Sequence, residues 1–159
     1  MAERAQGQTW VVEGEKPAAV RKALAAAGAG WAVEALKVPR LKGARVRVWP
    51  GEGSAGGAAE ALSRGLGAGA RLALLRLGAE ELEVEVWAAG ARVLHEQMPR
   101  VLRTSAVLGR THASLQRVAG ALASPAPAPP LLRDEDCAPS FLALVGLTPE
   151  ALAAGPAEG

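Results

Sequence analysis

The chain has 159 residues, half of them apolar and 21% charged, with a net charge of +2. That is the make-up of one folded domain with a tail, and it excludes a disordered chain or a collagen-like repeat. The single cysteine, Cys137, excludes an internal disulfide and a thiolate metal cluster, and no run approaches the ~18 apolar residues of a membrane helix.

The polar start, Met1 to Gln8, lacks the apolar stretch of a signal peptide. The expectation is a soluble, cytoplasmic protein with no membrane partner. The basic residues are 14 Arg against 4 Lys, in a chain rich in Ala and Gly. That bias is the signature of a GC-rich bacterial genome and asks for no functional explanation.

In chain order, Trp10-Val11-Val12 reads as a short strand ended by Gly14. Pro17 suits the first turn of a helix, where its missing N–H would be unpaired anyway. Val20, Leu24 and Ala27 recur at helical spacing, and Gly28 and Gly30 stop the helix. Trp31–Val38 returns as a strand, Pro39 to Gly43 turns, and Ala44–Trp49 is the next strand. In it Val46 and Val48 face one way, and Arg45, Arg47 and Trp49 the other. A Gly-rich loop over 50–57 leads into a short helix within Gly56–Leu66. Arg71–Leu77 is almost continuously apolar, as in a strand buried on both faces. Leu82, Val84 and Val86 alternate with Glu83, Glu85 and Trp87, and Ala88-Ala89-Gly90 turns the chain back into Ala91–Gln97 as a hairpin.

Beyond Pro99 the character changes. Residues 98 to 133 carry Arg100, Arg103, Arg110, Arg117 and Arg133 and no acid. Leu108, Leu115, Val118 and Leu122 sit close to helical spacing, with Thr104 or Ser105 as N-cap. Pro125 to Pro130 is an extended connector. Asp134 is placed to cap a last helix that carries Phe141, Leu142, Leu144 and Val145 and stops at Gly146. Thr148-Pro149-Glu150 opens one more short turn.

The order β-α-β-β-α-β is that of ferredoxin-like, split β-α-β folds. The fold class expected is therefore α+β, ferredoxin-like, with an added β-hairpin and C-terminal helices. The division is an α+β sheet domain over 1–98, an Arg-rich helical segment over 99–124 and a Pro-rich connector over 125–133. A C-terminal helix over 134–153 packs on the domain, and a disordered tail follows over 154–159. One core is expected, built from Val46, Val48, Leu72, Leu74, Val84 and Val86 with Val20 and Leu24.

Several motifs invite a chemical reading. Lys42-Gly43-Ala44-Arg45-Val46-Arg47-Val48 begins like the central strand of an RNA-recognition module. That strand works by presenting aromatic rings, and here Ala44, Val46 and Val48 stand in their places. The loop Gly51 to Gly57 lacks the Gly-Lys-Ser/Thr ending of a nucleotide-binding loop, and Glu52 puts negative charge where phosphate would sit. His95 and His112 have no convergent Cys or carboxylate pattern. Cys137 follows Asp134-Glu135-Asp136, acids that raise a thiol pKa. Neither Ser63 nor Ser140 lies in a nucleophile elbow. No catalytic, cofactor-binding or metal-binding residue is expected, and no enzyme activity.

The residues favoured for partner binding are Arg45, Arg47 and Trp49 on one strand and Glu83, Glu85 and Trp87 on another. The plainer reading is solvated outer faces, or cross-strand charge pairs worth about a few tenths of a kcal/mol each. The functional reading joins all six in one outward face, since Trp and Arg anchor interfaces. On that reading Trp49→Ala and Trp87→Ala weaken partner capture and leave melting unchanged.

Ala61-Leu62-Ser63-Arg64-Gly65-Leu66-Gly67, the apolar strand Leu72–Leu77 and Glu80-Glu81-Leu82-Glu83-Val84-Glu85-Val86-Trp87-Ala88-Ala89-Gly90 form a recurring layout, with a late helix like Phe141 to Leu147. Over about half the chain this resembles small, uncharacterised bacterial proteins of immunity-protein-like type. The resemblance implies no functional residues. The expected function is a non-enzymatic protein-binding module, an immunity-like inhibitor or an accessory subunit of a bacterial complex. The alternative is a nucleic-acid-binding protein using the Arg-rich stretch 100–117. A third class is an enzyme whose site forms no motif. A free sheet edge or face would also admit a homodimer.

Overall fold

The structure is a computed structural model that describes residues 7–26, 32–36, 45–49, 58–67, 69–101, 104–122 and 136–147. Several expected features lie outside these residues. They are the turn at 39–43, the Gly-rich loop, the proline connector, the Asp134 cap, the turn at 148–150 and the tail over 154–159. Arg103, Arg133 and Trp31 also lie outside them.

The elements are β1 (Gly7–Glu13), α1 (Pro17–Ala26), β2 (Ala32–Leu36), β3 (Arg45–Trp49) and α2 (Ala58–Gly65). Then come β4 (Arg71–Leu77), β5 (Glu81–Ala88), β6 (Ala91–Pro99), α3 (Ser105–Ala121) and α4 (Ala138–Leu144). The fold is α+β. Among the described residues six strands form one sheet in the order β2-β3-β1-β4-β5-β6. Every pairing is antiparallel.

Local chemistry sets the element ends. Gly14, at φ +92°, releases the chain from β1 in a conformation that disfavours a side chain. Ala89 and Gly90, at φ +51° and +84°, form a two-residue hairpin turn whose twist matches its strands. Thr104 Oγ1 accepts from the Val107 N–H at 3.1 Å and caps α3. Gly146, at φ +83°, ends the last helix, with Leu147 N–H donating to the Leu142 carbonyl at 3.0 Å and Leu147 buried behind it.

The single core expected from sequence is in fact two. On one face of the sheet Val46, Val48, Leu72 and Leu74 join Val20, Leu24, Trp10, Val12 and Leu62 under α1 and α2. On the other face Val84 and Val86 join Val11, Ala73, Leu75, Leu115, Phe141 and Leu142 under α3 and α4. The register decides this. Leu75 lies opposite Val84, and Leu74 lies opposite Glu85. Cross-strand neighbours share a face, so the valines of β5 stand behind the sheet from those of β3.

The second layer is held in place by Arg100, which is fully buried. Its guanidinium makes two parallel bonds to Asp136, 2.8 Å from Nε to Oδ1 and 2.9 Å from Nη2 to Oδ2. Its third nitrogen donates to the Gly78 carbonyl at 2.9 Å. Asp136 Oδ1 also accepts from the Ala138 N–H at 3.0 Å. The end of β6 is thus tied to the start of α4.

Val84 is completely buried between the sheet and these helices. Val84→Asp would leave a carboxylate there without a partner, several kcal/mol more than a domain of this size can spare. The variant is expected to lose its cooperative thermal transition by circular dichroism. Melting like the wild type would refute the Leu75–Val84 register.

Candidate functional site

The six residues expected to form one face are divided between the two faces of the sheet. Arg47 lies opposite Val11, Val11 opposite Ala73, and Ala73 opposite Val86. That chain places Arg45, Arg47 and Trp49 on the side of α3 and α4. Trp87 lies opposite Leu72, Leu72 opposite Val12, and Val12 opposite Val46. Glu83, Glu85 and Trp87 therefore share the side of α1 and α2. Alternation tells which residues of one strand keep company, and register alone tells which parity of the next strand joins them.

The β3 set is not a solvated strip. Arg45 and Arg47 are 2% and 4% exposed. Arg45 Nε donates to Glu13 Oε1 at 3.0 Å, with both side chains buried. The Arg47 guanidinium lies 4.7 Å from the centre of the Trp49 ring. Burial holds Arg47 below its ordinary value, and Glu34 works in the opposite direction. Trp87 packs against the core of the α1 and α2 side, and its indole nitrogen is buried without a hydrogen-bond partner among the described residues.

Glu83 and Glu85 organise a polar ladder across β4, β5 and β6. Arg76 bridges both carboxylates. Arg92 reaches Glu85 at 3.3 Å. His95 Nε2 lies 3.0 Å from Glu83 Oε2, and Gln97 donates to the same oxygen at 2.6 Å. The hydrogen bond from His95, helped by Gln97 and Arg76 against a desolvation cost, draws Glu83 down to about 2. Burial opposes the Glu85 charge, but Arg76 and Arg92 outweigh it and keep that carboxyl below its usual range.

Elsewhere on the described surface a groove of about 470 Å³ runs between β6 and α3. From β6 it receives Glu96, Gln97, Met98 and Pro99. From α3 it receives Val107, Arg110, Thr111, Ser114 and Arg117, residues three or four apart on one side of the helix. Arg117 pairs with Glu96 across the groove and donates to the Ser114 hydroxyl at 3.0 Å. Arg110 is exposed and has no carboxylate partner among the described residues. Thr111 is 1% exposed, and its hydroxyl has no hydrogen-bond partner among them. A smaller hollow of about 260 Å³, lined by Glu80, Pro99, Val101 and Val107, continues the groove past the end of the strand.

This groove joins apolar floor, one uncommitted cation and an orphaned hydroxyl beside a sheet edge. Sequence reading marked Arg110 and Arg117 only as part of a basic stretch. The helical spacing of Val107, Arg110, Ser114 and Arg117 was the available signal, and nothing in it names β6 as the opposing wall. Among the described residues no three His, Cys, Asp or Glu side chains gather as a metal site, and no helix is long and apolar enough to cross a membrane. Cys137 is buried, and its thiol is pushed up to about 12, by that burial first and by Asp136 second. No family model matches this chain, and no curated protein or solved structure matches it either.

Two measurements check this arrangement. Because Glu83 titrates near 2 when folded against an ordinary 4.5, its contribution to stability is complete above pH 4.5 and lost as pH falls toward 2. Urea melts over that interval should show a flatter acid limb for Glu83→Gln, which starts less stable at pH 7. Trp87→Ala empties a half-buried indole site and should cost ~2 kcal/mol or more, read as a lower denaturation midpoint at unchanged m-value. Unchanged stability would return Trp87 to the solvent.

Proposed function

We propose that this chain is a non-enzymatic protein-binding module of a bacterial cytoplasm, an immunity-like inhibitor or an accessory subunit, and that it engages its partner through the β6–α3 groove. The observation that carries the reading is the groove's setting, at a sheet edge with a helix alongside. Proteins that capture other proteins reuse this setting, because an edge strand offers backbone groups and a neighbouring helix offers side-chain contacts. We also read the frame as ferredoxin-like. In β2-β3-β1-β4 each helical crossover steps over one intervening strand, as in a split β-α-β unit, and the β5–β6 hairpin extends it past β4. The resemblance to immunity-like proteins supports the same class.

The Arg-rich stretch supports a nucleic-acid role less well. Arg100 is buried against Asp136, and Arg117 is engaged by Glu96. The neutralising acids come from outside residues 98–133, so the local excess of positive charge is smaller than the sequence alone implies.

A photo-crosslinking residue placed at Gln97 or Val107, expressed in the source cells, is expected to trap one protein partner. The same residue at Lys22, on the exposed side of α1, is the control and should trap none. Adducts from Lys22 alone, or with nucleic acid, would overturn the assignment.

A further inference from the structure

The inference here rests on the protein-binding reading and names the partner's chemistry. We propose that the groove takes an extended acidic segment of a partner protein, which adds as a further strand to the outer edge of β6 and sets a carboxylate on Arg110.

The backbone is arranged for this. Among the described residues β6 pairs with β5 alone and forms the end of the sheet. Arg100 N–H donates to the Glu80 carbonyl at 2.8 Å, toward β5. In an antiparallel pair such bonds alternate, so Met98 and Glu96 also point their backbone groups at β5. Gln97 and His95 then point theirs outward. Pro99 falls on the same outward parity, where its missing N–H breaks no ladder bond, and it marks where an added strand must end.

The side chains set what such a strand must carry. Alternate residues of an added strand face α3, where Met98 and Val107 offer apolar contact and Arg110 offers charge. Arg117 is already matched by Glu96, so Arg110 is the position at which the groove lacks a negative group among the described residues. The orphaned Thr111 hydroxyl, on the same wall, can serve a carboxylate or a backbone carbonyl beside it. A nucleic-acid strand fits less well, because its sugar–phosphate backbone has no alternating N–H and C=O groups to pair with the outer edge of β6.

The test is fluorescence anisotropy with a labelled, capped octapeptide of alternating glutamate and valine. Three competitors accompany it: the lysine–valine counterpart, the same acidic peptide N-methylated on alternate residues, and a short single-stranded oligonucleotide. The acidic peptide should bind the full chain and slow amide exchange at Gln97 and His95. Arg110→Glu, a surface change whose folding is checked by melting, should weaken binding about tenfold or more. N-methylation in the register that faces β6 should weaken it as strongly, since it removes the ladder donors without touching the protein. Equal binding of the N-methylated peptide in both registers, indifference to Arg110→Glu, or displacement by the oligonucleotide would overturn the proposal. So would a dimer that grows with concentration and loses the exchange protection at β6 to no peptide. Absence of peptide binding while cross-links at positions 97 and 107 persist would overturn strand addition and leave the protein-binding reading standing. Loss of both would overturn that reading as well.

Discussion

The sheet has two apolar faces at its centre, and the rest of the structure answers that constraint. In β1, Val11 and Val12 are both completely buried, though they point in opposite directions. In β4 Leu72, Ala73, Leu74 and Leu75 are likewise all buried, on alternating sides. Each such side chain is worth about 1.5–3 kcal/mol when removed from water, and a sheet covered on one side would forfeit half of them. The two crossovers supply α1 and α2 for one face. The chain after β6 must supply the other cover, and α3 and α4 do so.

Charge is placed inside this frame only where it is matched. Glu13 and Arg45 sit buried on neighbouring strands, on the sheet face that carries α3 and α4, and Arg100 meets Asp136 where that layer begins. A buried pair of this kind adds little net stability, because two desolvation costs offset the attraction. Its force lies in the alternatives it forbids. Slipping β1 against β3 by one residue would bury Glu13 without Arg45. Moving α4 along the sheet would strand the Arg100 guanidinium in the core. The exposed pair of Arg64 with Glu60 on α2 carries no such penalty and contributes a few tenths of a kcal/mol.

What could be read from the sequence follows from range. Elements and their ends depend on residues a few positions apart, and these were legible. Pro17 opens α1, Thr104 caps α3, Ala89-Gly90 turns the hairpin and Gly146 closes α4. The pairing of strands distant in sequence was not legible. Val46 and Val84 alternate in the same way, yet one faces α2 and the other Phe141. For that reason the residues from Arg45 to Trp49 and from Glu83 to Trp87, read from sequence as one face, lie on opposite faces of the sheet. Arg100 belonged by composition to a basic stretch, and only tertiary contact showed it as the tie between two elements.

The groove at β6 is a further consequence of covering the second face. An edge strand left bare invites indiscriminate pairing, and β6 carries the usual deterrents: Arg92, His95, Glu96 and a terminal Pro99. On the proposed reading, laying α3 beside that edge converts deterrence into selection. The charges on β6 are largely answered from within, Glu96 by Arg117 and Arg92 by Glu85, so they do not repel an incoming strand of mixed character. Arg110, on the helix, is not answered among the described residues. A strand that approaches must therefore match the backbone of β6 and the charge of α3 together. Few sequences meet both conditions, and the helix needed to bury Leu115 and Val118 is the same one that sets the second condition.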